Sequence, residues 1–144
     1  MIIERYLAHS RRILSRLGNW APSKLAAAGA RICEPTGAFC LFPDFSPLTG
    51  ILAANGISTG TEFSRRALQK TGVAFLPGKD FGRPDNEITA RLAYVDFDGA
   101  RALAASEQIP LDQELPVDFI ETYCLPTQKG IDWLCDWIFS LKSP

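Results

Sequence analysis

Residues 72–95 read Gly72-Val-Ala-Phe-Leu-Pro-Gly-Lys-Asp-Phe-Gly82, then Arg83 to Glu87, then Ile88-Thr-Ala-Arg-Leu-Ala-Tyr-Val95. Two apolar runs, Val73 to Leu76 and Ile88 to Val95, are separated by a loop, Pro77 to Glu87, that holds Gly78, Gly82 and Pro84. Short apolar runs bounded by glycine and proline predict buried strands. Strand side chains alternate between faces, so Ile88, Ala90, Leu92 and Tyr94 share one face, and Thr89, Arg91, Ala93 and Val95 the other. A strand pair of this kind, set among helices, points to an α+β fold with a small mixed or antiparallel sheet.

Working outward, Thr59 and Glu62 stand three residues apart before a helical stretch, the spacing of a capping box, and Gly72 suits the left-handed residue that ends such a helix. Downstream, Asp96 or Asp98 caps a helix through about Ser106. A proline-punctuated segment, Pro110 to Pro126, then leads to a last helix, Gln128 to Leu141. Upstream, Leu48 to Ile57 reads as loop with weak helical content, and Ala38 to Phe42 and Ala30 to Cys33 as strands, the first following a turn at Pro35, Thr36 and Gly37. Ile3, Tyr6, Leu7, Ile13, Leu14, Leu17 and Trp20 recur at helical spacing, with Arg5, Arg11, Arg12 and Arg16 largely off the stripe. This first helix is expected to kink or restart around Gly18, Asn19 and Pro22 and to end at Gly29. The order is α, β, β, α, β, β, α, α, in a single domain spanning residues 1–144.

The composition supports a buried core. The chain has 144 residues, 47% of them hydrophobic, and a formal charge of −1. A chain of this size buries roughly two thirds of its unfolded surface. Near-neutrality gives no reason to expect nucleic-acid binding, and no apolar run approaches the roughly 20 residues of a membrane span. The N-terminus lacks a secretory signal; its arginines give it a faint likeness to a transit peptide, but helical packing explains them better. The expectation is a cytoplasmic protein whose four cysteines, Cys33, Cys40, Cys124 and Cys135, are reduced core thiols. They lack metal-ligand spacing, and the single histidine, His9, is distant from them.

Several residues carry two readings. Arg91, on a face with small and apolar neighbours, is either a rigid fork for a carboxylate or an arginine reaching solvent or a local acid. The Gly56 to Thr61 stretch is either an anion cradle at a helix N-terminus or only a cap. Asp96 and Asp98 are either a metal pair or a cap, and Lys24 and Lys79 are lysines without an evident apolar pocket. In the last helix Trp133, Trp137 and Leu141 widen the apolar arc beyond Ile131, Leu134, Cys135 and Ile138. Either the Pro110 to Pro126 segment or a second body covers the tryptophans.

Three segments carry a family likeness. Glu34-Pro-Thr-Gly-Ala-Phe-Cys-Leu-Phe-Pro43, the Gly72 to Gly82 run and Arg91-Leu-Ala-Tyr-Val95 together resemble the C-terminal small domain of the class I and II (fold type I) pyridoxal-phosphate-dependent aminotransferases. The resemblance implies that Arg91 binds the α-carboxylate of the amino-acid substrate, while Gly78 to Gly82 with Phe81 lies on the substrate side of the cleft. It implies that residues 1–28 end the helix joining two domains, that 128–142 form the C-terminal helix, and that an N-terminal large domain is missing. The intact enzyme, by the same likeness a homodimer, would use pyridoxal 5'-phosphate to move an amino group between an amino acid and a 2-oxo acid. This chain alone would bind no cofactor and be inactive. Cys40, Lys79 and Val95 depart from the family pattern. The other readings are a free-standing interaction or dimerisation module derived from that lobe, and the lobe of another fold type I enzyme.

Overall fold

In the computed structural model, which describes residues 2–143, helix α1 runs from Ile2 to Ala28. Its residues Leu17, Ala21, Leu25 and Ala28 have no exposed surface, and it lies against α4 (Gly99–Glu107) and α6 (Leu125–Leu141). Pro22 stands inside α1 without interrupting it, so the helix does not restart there as the sequence allowed. Burial of this whole stripe outweighs the one hydrogen bond a proline removes. The helix ends as expected. Gly29 takes φ +108°, with Gly29 N–H donating to Ala26 and Ala30 N–H to Leu25, both at 3.0 Å.

Three strands form an antiparallel sheet in the order β1 (Cys40–Leu41), β3 (Ala90–Ala93), β2 (Leu76–Pro77). Cys40 pairs with Ala93 and Leu41 with Leu92 on one side, and Leu76 with Arg91 and Pro77 with Ala90 on the other. All three are shorter than the sequence suggests. At β1, Ala38 adopts a left-handed φ of 60° and Pro43 has no N–H to donate, although its carbonyl still accepts from Ala90 at 3.2 Å. The chain bends over Gly37 to Phe39, with the left-handed residue at Ala38. On the edge strand Pro77 is tolerated because its missing donor falls at a non-bonded position; Gly78 N–H resumes the ladder to Thr89 O at 2.8 Å. The strand expected over Ala30 to Cys33 is absent, and only Arg31 bridges, to Asp44.

Helix α3 (Gly60–Thr71) has the expected ends, with Thr59 Oγ1 accepting from Glu62 N–H at 3.1 Å and Gly72 left-handed at φ 74°. The weak helical content expected in Leu48 to Ile57 is a short helix, α2 (Thr49–Ala54), the proline-punctuated segment holds another, α5 (Phe119–Tyr123), and α6 begins three residues before the expected Gln128. The alternation in β3 holds: Ile88, Ala90, Leu92 and Tyr94 are buried, whereas Arg91, Ala93 and Val95 face outward. Thr89 shares that outer face but is buried, because Gly78 lies against it. In α6, Ile131, Leu134, Cys135 and Ile138 are buried. Trp137 stacks on Phe63 of α3 at 5.4 Å, a contact within the chain that the sequence reading did not foresee; Trp133 remains 54% exposed. Among the described residues no helix is long and apolar enough to cross a membrane.

The histidine and one arginine serve the fold. His9 is buried with Nδ1 2.9 Å from Ser106 Oγ. Arg12, half-buried, donates to the carbonyls of Ser106, Ile109, Pro110 and Gln113 at 2.6–3.1 Å. It thus ties one carbonyl of the last turn of α4 and three of the segment that follows to α1, at a helix end where a cation is also favoured by the helix dipole.

The cysteines are free, but only two are in the core as expected: Cys124 and Cys135 are buried, Cys40 is half-buried, and Cys33, in the segment that forms no strand, is exposed. Burial pushes the Cys124 and Cys135 thiols up to about 11. Under native conditions at pH 8, a disulfide reagent followed by mass spectrometry should modify Cys33 first and Cys40 more slowly, and reach Cys124 and Cys135 only after unfolding. Rapid modification of all four would contradict this packing.

Candidate functional site

Arg91 stands on the central strand with its side chain on the outer, exposed face of the sheet. No salt bridge among the described residues involves it, so the local-acid reading of this residue does not hold. Its guanidinium carbon lies 4.8 Å from the centroid of the Phe81 ring. Phe42 meets that ring edge-on, with centroids 6.0 Å apart and planes at 84°. The β1–β3 register, carried one residue beyond Leu41, sets Phe42 opposite Arg91 at a non-hydrogen-bonded position, where cross-strand side chains are closest. Leu76, 45% exposed, flanks Arg91 on the other strand. The result is a cation with free donors in an apolar, largely aromatic setting.

The loop that carries Phe81 is locked to β3. Gly78–Phe81 forms a short 3-10 turn ending at left-handed Gly82. A Cβ built on Gly78 would lie 1.8 Å from Thr89 Oγ1 and 2.9 Å from Thr89 Cβ. Rotation about χ1 moves the hydroxyl but not the Cβ, so the backbone itself must yield. Gly78→Ala is therefore expected to cost about 1–3 kcal/mol and to shift Phe81 away from Arg91. Denaturant unfolding checks the first effect, and the ring-current shift of the Arg91 side-chain protons checks the second. An alanine variant as stable as the parent would mean that the loop is not so closely held.

The other candidates resolve into structural roles. The N–H groups at the start of α3 are taken by the protein's own carboxylate: Thr61 N–H and hydroxyl donate to Asp85 Oδ1 at 3.0 and 2.8 Å, and Gly60 N–H to the Asp85 carbonyl at 2.8 Å. The Thr61 hydroxyl, ahead of its N–H and Lys79, holds the Asp85 carboxyl below its ordinary range. Lys79 Nζ lies 3.9 Å from Asp85, and Lys24 Nζ 3.0 Å from Asp132, both half-exposed surface pairs. Asp98 caps α4 by accepting from Arg101 N–H at 3.0 Å, while the carbonyl of Asp96 accepts from Thr127. Sequence reasoning singles out Arg91 and Phe81 but misses Phe42. That Phe42 shares the outer face with Arg91, directly across the strand pair, becomes readable only once the register is known.

No protein-family model matches the chain. It is 35% identical over 80 residues to an aspartate aminotransferase of Bacillus sp. (strain YM-2), a match covering 56% of this chain and 19% of the relative. It is 34% identical over 79 residues to an asparagine–oxo-acid transaminase of Streptococcus mutans, covering 55% and 19%. Among solved structures, an aromatic aminotransferase from Pyrococcus horikoshii OT3 superposes with a TM-score of 0.53 at 20% identity, over 88% of this chain and 24% of that one. That similarity shows the fold. The chain spans about a fifth of the length of the curated relatives it matches. In sequence and in fold, then, the chain is an aminotransferase-like segment that corresponds to the C-terminal part of those longer proteins.

Proposed function

We propose that this chain is the C-terminal lobe of a pyridoxal-phosphate-dependent aminotransferase, and that Arg91 binds the α-carboxylate of the amino-acid and 2-oxo-acid substrates. The observation that carries this reading is an arginine at the centre of the sheet, facing outward, with an aromatic ring beneath it and no acid paired to it among the described residues. A planar guanidinium offers two parallel N–H donors to a carboxylate and fixes the plane of that group, which an ammonium cannot. Holding the carboxylate would orient the adjoining Cα bonds for reaction, a contribution of position.

The two lysines and the helix N-terminus singled out from the sequence do not fit a site for pyridoxal phosphate. Lys24 and Lys79 are half-exposed and each is paired with a carboxylate, Asp132 and Asp85, whereas a nucleophilic lysine needs an apolar pocket or a neighbouring cation. The N-terminus of α3, which has the dipole and donors for a phosphate, is filled by Asp85. The cofactor, the second domain and the dimer partner are accordingly assigned to the rest of a longer, cytoplasmic protein.

The test uses this chain with its arginine side chains labelled with 15N. Titration with 2-oxoglutarate should shift the Arg91 signals saturably and in the millimolar range, and leave those of the other arginines in place. Pyridoxal phosphate followed by borohydride should label no single lysine stoichiometrically. An Arg91 indifferent to carboxylates, or one lysine trapped as a stoichiometric adduct, would overturn the assignment.

A further inference from the structure

We infer that Phe81 is a positioning residue, the platform that holds the Arg91 guanidinium with its donors presented outward; this inference rests on the reading of Arg91 as a carboxylate-binding group. An arginine side chain has several freely rotating bonds and loses much of that freedom when its fork is fixed. Without a carboxylate to hold it, some other contact must restrict the fork if it is to be ready for a ligand. The Phe81 ring, 4.8 Å from Cζ, is that contact.

Core packing does not account for the ring. Phe81 is 42% exposed and Phe42 41% exposed, so neither removes its full apolar area from water. Their placement makes sense through what they touch: Phe42 holds Phe81 edge-on, and Phe81 sits by the guanidinium. The ring and the cation also share one frame. Phe81 ends a turn whose first residue, Gly78, bonds to Thr89 O at 2.8 Å and abuts the Thr89 side chain, two residues before Arg91 on the same strand. A ring over the guanidinium uses its π face, whereas a carboxylate uses the N–H groups at its edge. The two contacts do not compete, so the platform keeps its hold as the ligand arrives.

The experiment uses this chain with labelled arginine and 2-oxoglutarate as the probe. In the parent, the Arg91 Hδ protons should be shifted upfield by the ring. Phe81→Leu, which retains apolar bulk without a π face, should abolish that shift and weaken the probe by about two- to fivefold. Phe81→Tyr should restore both. Phe42→Leu, which leaves the platform but loosens it, should give an intermediate shift, and so reports even if the Phe81→Leu variant folds poorly. If Phe81→Leu binds the probe as the parent does, the role of Phe81 is overturned and that of Arg91 stands. If the parent shows the upfield shift but no response to the probe, the assignment of Arg91 falls and takes the role of Phe81 with it.

Discussion

Arg91→Ala, introduced into the full-length protein of the proposed function, is expected to lower kcat/KM for amino transfer by about 10²- to 4 × 10³-fold. Removing one partner of a desolvated, hydrogen-bonded charge pair costs about 3–5 kcal/mol, and each factor of ten in rate corresponds to about 1.4 kcal/mol. Arg91→Lys should recover only part of this, because it keeps the charge but loses the fork. The loss should not come from unfolding. Arg91 is exposed and rests on a ring that is itself half in water, so the alanine variant should melt within a few degrees of the parent. Steady-state kinetics beside a melting curve separates the two effects, and unchanged kcat/KM would refute the assignment.

Phe63→Ala should be the most destabilising single truncation in the α3 region, at about 3–5 kcal/mol. Phe63 has no exposed surface and joins three aromatics from three parts of the chain. Phe45 lies 4.6 Å away by ring centroid, Trp137 of α6 5.4 Å, and Phe75, just before β2, 5.7 Å. Such pairs add to the burial term, and the hole left cannot close by movement of one neighbour alone. Urea unfolding gives the free energy. Tryptophan emission gives the location: Trp137 loses its cover and should shift to the red, whereas Trp133 is already half in solvent. A loss below about 1 kcal/mol would mean that α3 and α6 are not joined through this ring.

What can be read from the sequence is what is decided locally. The ends of α3 depend on Thr59, Glu62 and Gly72 within its own turns, and the two faces of β3 follow from pleat alone. Arg91 is legible because an outward arginine on a strand is visible in the alternation, and because the residues around it carry a family likeness. The misplaced elements depend on distant partners. Helices α2 and α5 are too short to show a period. Pro22 looks like a break until α4 and α6 are packed against the same helix. Arg12 reads as a solvated charge off the apolar stripe, yet its acceptors lie 94 to 101 residues along the chain. Phe42 joins the site only through a strand register set by Ala38 and Pro43 at the two ends of β1.

The long-range clamp of Arg12 and the burial of the α1 stripe have a consequence for how the protein is made. During synthesis residues 2–28 emerge well before Gly99, the start of α4, and before α6. At translation rates of about 5–20 residues per second the interval is roughly 4–14 s. For that time Leu17, Ala21 and Leu25 form an apolar stripe without its α4 and α6 partners, on a helix that depends on tertiary contacts for most of its stability. Of the helices described here α1 is made first and is among the last to dock, so its stripe is expected to stay open to holding chaperones and to proteases until α4 and α6 emerge.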